Sequence, residues 1–247
     1  MRAMSFANLF CFGILLFVVL PAGAGDKAPV YTQSYAILIK GELAGIENVT
    51  ESANQTGDIL SASEHEIYIS DGLSTKRMAF TTKMQLAKST YVPVSYSYKY
   101  TAGDLGDSYE VAIKGALIRR MLTRSGRTSE ATAPVQPNTV ILDFNVYHLY
   151  DYLIRRYDAV KGGRQVFSDF VPLIGNDIQL ALTMMGDTEL KYPKGSLAVS
   201  NYRVEFVGIA GGTFSVDKNK RLVRLVIPAQ DLEVVRKDLL PAGNATN

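Results

Sequence analysis

Arg77-Met78-Ala79-Phe80-Thr81-Thr82-Lys83-Met84-Gln85-Leu86, followed closely by Tyr91-Val92-Pro93-Val94-Ser95-Tyr96-Ser97-Tyr98-Lys99-Tyr100, is the passage that decides the fold. In the first run Met78, Phe80, Thr82, Met84 and Leu86 fall on one side, and Arg77, Thr81, Lys83 and Gln85 on the other. The second run sets Val92, Val94, Tyr96, Tyr98 and Tyr100 against Ser95, Ser97, Lys99 and Thr101. Alternation with a period of two marks a strand with one buried face, and two such runs joined by a short polar link predict an antiparallel pair.

The same period extends outward in both directions. Towards the N-terminus, Tyr35, Ile37 and Ile39 alternate with Ala36, Leu38 and Lys40; Gly41-Glu42 reads as a turn and Leu43–Ala53 as the return strand. His65, Ile67 and Ile69 share a face of the next strand, which ends at Asp71-Gly72. Beyond the deciding passage come Tyr109, Val111 and Ile113, then Leu117–Arg124. Ser125–Thr139, rich in Gly, Ser, Thr and Pro, reads as a long loop or lid. One helix is expected next, capped by Asp143, carrying Phe144, Tyr147, Tyr150, Ile154 and Tyr157 at helical spacing, and stopped by Gly162-Gly163. Strands are then expected at Gln165–Pro172, Ile178–Met185, Leu197–Gly208, Phe214–Val216, Leu222–Ile227 and, as a last edge strand, Leu232–Val235. Short turns between sequential strands imply antiparallel pairing. A mainly β fold follows: a curved antiparallel sheet, a half-barrel or open barrel, packed on one central α-helix.

The N-terminus reads as an export signal, with Arg2, the apolar run Leu9–Leu20 and a small-residue cleavage site ending at Ala24. The alternative is an uncleaved anchor, although about 20 apolar residues are needed to span a bilayer and this run is shorter. The expected organisation is therefore a signal peptide over residues 1–24, one β-rich domain over 25–240 and a loose tail over 241–247. The product is expected in the periplasm or secreted, with no transmembrane span in the mature chain.

Composition excludes several chemistries. The chain has 247 residues, a formal net charge of +2, one cysteine, two histidines and no tryptophan. A charge this close to balance gives no signature for nucleic acid. With its sole cysteine, Cys11, inside the export segment, the mature chain has no thiol for a disulfide, a thiolate metal site or a nucleophile. No G-x-S-x-G, P-loop, H-E-x-x-H or EF-hand pattern occurs in the mature chain. No catalytic or metal-ligating set and no cofactor is assigned, although two histidines with carboxylates leave a mixed metal site open. His148 with Asp151, at i and i+3, is the one pair that a hydrolase would use; His65 reads as a core histidine.

The Tyr35–Glu47, Val140–His148 and Arg221–Pro228 stretches resemble a group of uncharacterised bacterial periplasmic β-rich domains. A curved sheet over a helix is also distantly similar to the periplasmic lipoprotein-carrier (LolA-like) fold, whose members hold acyl chains between sheet and helices. That resemblance implies a non-catalytic protein that binds a hydrophobic or amphipathic small molecule such as a lipid. Eight of the 14 tyrosines lie in Tyr91–Tyr100 and Tyr147–Tyr157, and methionine and tyrosine suit irregular apolar ligands. The candidate lining is Met78, Phe80, Met84, Tyr96, Tyr98, Tyr147, Tyr150 and Ile154, which equally suits a filled core. In that case the protein is an envelope interaction module with a protein partner. Arg119, Arg120, Arg124 and Arg127 form a basic cluster, either solvated or facing phosphate headgroups.

Overall fold

A computed structural model describes residues 31–70, 75–102 and 105–241. The expected signal peptide lies outside the described residues, as does all of the expected tail but Pro241. Eight strands come first: β1 (Tyr31–Ile39), β2 (Glu42–Ala53), β3 (Ile59–Ser70), β4 (Thr75–Leu86), β5 (Pro93–Ala102), β6 (Leu105–Lys114), β7 (Leu117–Arg124) and β8 (Arg127–Pro134). The two-residue β9 (Thr139–Val140) and a six-residue helix, α1 (Tyr150–Arg155), follow. The second strand block is β10 (Arg164–Val171), β11 (Asn176–Tyr192), β12 (Gly195–Phe206), β13 (Ile209–Val216), β14 (Leu222–Ile227) and β15 (Leu232–Arg236).

Among the described residues all fifteen strands belong to one sheet, ordered β8-β7-β6-β5-β4-β3-β2-β1-β15-β14-β13-β12-β11-β10-β9. Every neighbouring pair is antiparallel except β9 with β10. Alternation explains the curvature: Phe80, Thr82, Met84 and Leu86 are buried on β4 while Thr81 and Lys83 are exposed. A sheet with one apolar face buries it by curling around something. Here the filling is the chain from Val140 to Tyr157, in which Val140, Ile141, Leu142, Val146, Tyr147, Leu149, Tyr150, Leu153 and Ile154 are all buried in the one main core. The sheet does not close, because its edge strands β8 and β9 are not paired. Only residues 135–138 join those edges, so an extended chain limits their separation to about 17 Å.

Four differences from the expected elements have physical causes. The helix is shorter than the Asp143–Tyr157 span. Asp143 does not cap it; its carboxylate accepts from the hydroxyls of Tyr96 and Tyr109, and Asp143 bridges Val146 in a tight turn. Asn145 has a left-handed φ of 62°, and the N–H groups of Tyr147 and His148 are donated to the Glu47 carboxylate, so no helical ladder starts before Tyr150. The expected Ser125–Thr139 lid is mostly strand: Ser125 and Gly126, with φ of 49° and 75°, make the tight hairpin turn into β8. Its polar composition reflects an edge strand that is almost wholly exposed. Leu232–Val235 is not an edge strand but sits mid-sheet, between β1 and β14. Finally, β11 continues well past Met185, after a register shift at Met184/Gly186. Its far end joins a second apolar cluster, in which Leu190, Tyr192 and Leu197 cover Leu38, Val199, Val223 and Val235.

Candidate functional site

Three places inside the curl gather buried polar residues. The first is a chain of buried side chains crossing β2, β3 and β4. Alternation turns Glu47, Val49 and Glu51 of β2 inward, and Ser61, Ser63, His65 and Ile67 of β3 with them. Glu47 Oε1 lies 2.6 Å from His148 Nδ1 and 3.6 Å from His65 Nε2. The same carboxylate accepts the backbone N–H of Tyr147 at 3.2 Å and of His148 at 3.3 Å. Ser63 Oγ lies 2.6 Å from His65 Nε2 and 2.6 Å from Thr82 Oγ1. Phe80 stacks on the His65 ring at 4.1 Å, and Tyr152 meets the His148 ring edge-on. Burial pushes the Glu47 carboxyl up, but the His65 and His148 rings and the hydrogen bonds from His148 outweigh it, so it lies below its ordinary value. Burial brings His65 down to about 4, against the attraction of Glu47, so its ring is neutral at pH 7.

The second place is an ion network around Arg221. Its guanidinium is bidentate to Glu51 at 2.8 and 2.9 Å, reaches Asp151 at 3.2 Å and lies 3.7 Å above the Tyr31 ring. Asp151 also accepts the Leu222 backbone N–H at 2.6 Å. Burial raises Asp151 to about 6, opposed chiefly by Arg221. His148 and Asp151, adjacent on the inner segment, thus have different partners: His148 bonds Glu47 and Asp151 bonds Arg221. The dyad considered from sequence is not formed as a hydrogen-bonded unit.

The third is a cavity of about 370 Å³ at one mouth of the curl. Leu142, Phe144, Tyr147 and Tyr150 of the inner segment form one wall, and Val171, Ile178, Phe206, Ile227 and Leu232 of the sheet form the other. Asp143 and Asp169 are its acidic residues. Burial raises both carboxyls, Asp169 well above the usual range; hydrogen bonds from Tyr109, Tyr96 and the Phe144 N–H oppose it at Asp143, and the Leu142 N–H opposes it at Asp169.

Of the residues expected to line a cavity, Tyr147 and Tyr150 border this one. Phe80, Met84, Tyr96 and Ile154 are buried in the main core, with Met78 and Tyr98 packed against it. Tyr98 stacks on Tyr109 at 4.7 Å and tilts against Phe80 at 5.0 Å. The void between Met84 and the inner segment at Leu149, Tyr152 and Leu153 is about 10 Å³, at the lower limit of what one water molecule needs. In the basic cluster, Arg119 pairs with Glu130 and Arg124 with Asp107, both in the open. Arg120 turns inward against the β10–β11 turn, where a Cβ on Gly175 would strike its guanidinium.

Sequence reasoning passed over Glu47, Glu51, Asp169 and Arg221. A signal existed for the glutamates, since the alternation that turns Val49 inward turns both inward with it. None existed for Arg221, which meets Glu51 only through the β1–β15 pairing.

No protein-family model and no curated protein matches the chain. Among solved structures it is similar to the crystal structure of a beta-barrel-like protein of the domain of unknown function DUF1849 from Brucella abortus. The TM-score is 0.57 at 6% identity, over 83% of this chain and 93% of that chain. The likeness is one of fold. It agrees with a mainly β, curled and unclosed sheet, and fold alone does not fix function.

Proposed function

We propose that this is an exported, non-catalytic protein that binds an amphipathic small molecule, lipid-like in character, at the mouth of the curled sheet. The observation that carries the reading is the apolar cavity between Tyr147, Tyr150 and the β10–β15 half of the sheet. At about 370 Å³ it falls at the lower end of ligand pockets, about 300–1,000 Å³. The LolA-like analogy belongs to this proposal: in both, an acyl chain would lie between a concave sheet and the segment inside it. The lining adds a preference. Asp143 and Asp169 set two carboxyl groups beside the cavity, whose oxygens would accept from a hydroxyl or amine head, whereas placing a third carboxylate there would cost desolvation and crowd three acids together. A neutral monoacyl lipid therefore suits the site better than a fatty-acid anion.

The test is native mass spectrometry of the mature protein with added monoacylglycerol or fatty acid, for the wild type and Ile178→Trp. Ile178 is a half-buried wall residue, and the indole would fill the space. Adducts on the wild type that favour the monoacylglycerol and fall at least tenfold in Ile178→Trp are expected. No adduct on the wild type, or equal adducts on both proteins, would overturn the proposal.

A further inference from the structure

We propose that Glu47, His65 and His148 form an interior binding site for a divalent transition metal of the zinc class. The chain has two histidines in all, on different elements, and both converge on one buried carboxylate. One donor atom from each of the three residues can be chosen so that all lie within 4.8 Å of one another. Two imidazoles and a carboxylate are ligands that zinc accepts, at about 2.0–2.2 Å, which puts tetrahedral donors roughly 3.3 Å apart. The His65–Glu47 separation of 3.6 Å is already close to that, and the His148–Glu47 separation of 2.6 Å has to open by a fraction of an ångström.

The surroundings suit a metal centre in two further respects. First, each ring is held only through the nitrogen that faces Glu47 and Ser63. His65 Nδ1 and His148 Nε2 are buried and have no hydrogen-bond partner among the described residues. The polar chemistry of both rings is therefore directed at one common point. Second, the carboxylate and the fourth donor are oriented from outside. The Tyr147 N–H fixes the second oxygen of Glu47, and Thr82 holds Ser63 Oγ at 2.6 Å from His65 Nε2. Such outer hydrogen bonds orient ligands before a metal arrives. The Ser63 hydroxyl or a water completes four-coordination. Because all three ligands are inaccessible in the folded chain, the metal enters during folding, and its binding energy becomes folding energy.

The experiment unfolds the full mature protein in urea with chelator and refolds it with zinc or cobalt(II). After desalting, metal content is measured by mass spectrometry, alongside the cobalt visible spectrum and Tm. Wild type is expected to retain roughly one equivalent per chain, to show the intense visible bands of tetrahedral cobalt, and to melt higher than metal-free protein. His65→Gln, checked for folding by circular dichroism, should lose at least tenfold in metal retention and lose the Tm increment. Should that variant not fold, the wild-type cobalt spectrum decides: tetrahedral bands with nitrogen and oxygen ligands support the site. Wild type refolded without bound metal and without a Tm increment would overturn the proposal, as would undiminished retention in folded His65→Gln. In either case the triad is a hydrogen-bonded core element only.

Discussion

Replacing Arg221 with methionine tests the interior ion network most directly. The side chains of Arg221, Glu51 and Asp151 are only 11%, 9% and 2% exposed, so water cannot take over when the guanidinium is removed. Its charge-assisted hydrogen bonds to Glu51 are each worth about 1.5–3 kcal/mol, and its position over Tyr31 adds about 0.5–2 kcal/mol. These contributions overlap, and breaking a buried pair by removing one partner typically costs about 3–5 kcal/mol. For a chain of this size that corresponds to a fall in Tm of about 6–20 °C. The pH dependence distinguishes charge from packing. Burial pushes Glu51 up, and Arg221 outweighs it and holds the carboxyl below its ordinary value. In the wild type, then, Glu51 contributes stability that is present above its unfolded pKa and is lost as pH falls through the folded one. In Arg221→Met burial acts unopposed by Arg221, both carboxyls rise, and their penalty is relieved by acid. The gap between wild type and variant should narrow from about pH 7.5 to about pH 5. Urea unfolding followed by tyrosine fluorescence reads it, since the chain has 14 tyrosines and no tryptophan. A gap under about 1 kcal/mol, or one that does not change with pH, would refute the reasoning and put the network with ordinary surface pairs. Adding Glu51→Gln to the variant should restore part of the loss.

Two further outcomes are expected. Gly45→Ala should destabilise by about 1–3 kcal/mol, because the new Cβ would lie 2.5 Å from the Glu66 carbonyl oxygen and 3.0 Å from the Ile67 Cα on the neighbouring strand; an unchanged Tm would show that β2 and β3 separate freely. Asp169→Asn should change stability in a pH-dependent way. The folded-state pKa of Asp169 is raised, so its contribution is favourable below the unfolded pKa of about 4 and is lost as pH rises through the folded value. The variant should therefore gain on the wild type with rising pH, by up to about 1.4 kcal/mol per unit within that window. Parallel stability curves for the two proteins would count against a proton held at Asp169.

The sheet was legible because its signal is local. The alternation at Met78–Leu86 and at Val92–Tyr100 needs no knowledge of the partner strands to place Phe80 and Tyr96 inward. The interior segment was half legible. Tyr147, Tyr150 and Ile154 follow helical spacing and are buried, but the turns before α1 depend on Glu47, a hundred residues earlier, taking the N–H groups that a helix would have used. Asp143 reads as a cap from sequence for the same reason that it fails as one: a short acceptor beside free N–H groups serves Tyr96 and Tyr109 equally well. The candidate sites were least legible. His148 reads together with Asp151 and His65 alone, as a core residue, and nothing local to His65 indicates His148. Nothing local marks Arg221 until β15 pairs with β1 and brings it over β2.

The strand order has a consequence for how such a chain assembles. Counted from β9 through β15, into β1 and on to β8, the spatial order becomes the plain numerical order, so the sheet is a simple meander re-cut at its centre. Nearly every register is then a hairpin between sequence neighbours, which can form early and independently. The seam β1–β15 differs, since Tyr35 must find Arg236 and Ile39 must find Leu232. Two local ribbons and one distant closure make the seam the slow step, because the loop-closure entropy is lost before the contact is made. As the chain emerges N-terminus first, the free flank of β1 has to wait for the last strand to arrive. For that interval the future middle of the sheet is an open edge, the kind of surface on which other chains add strands.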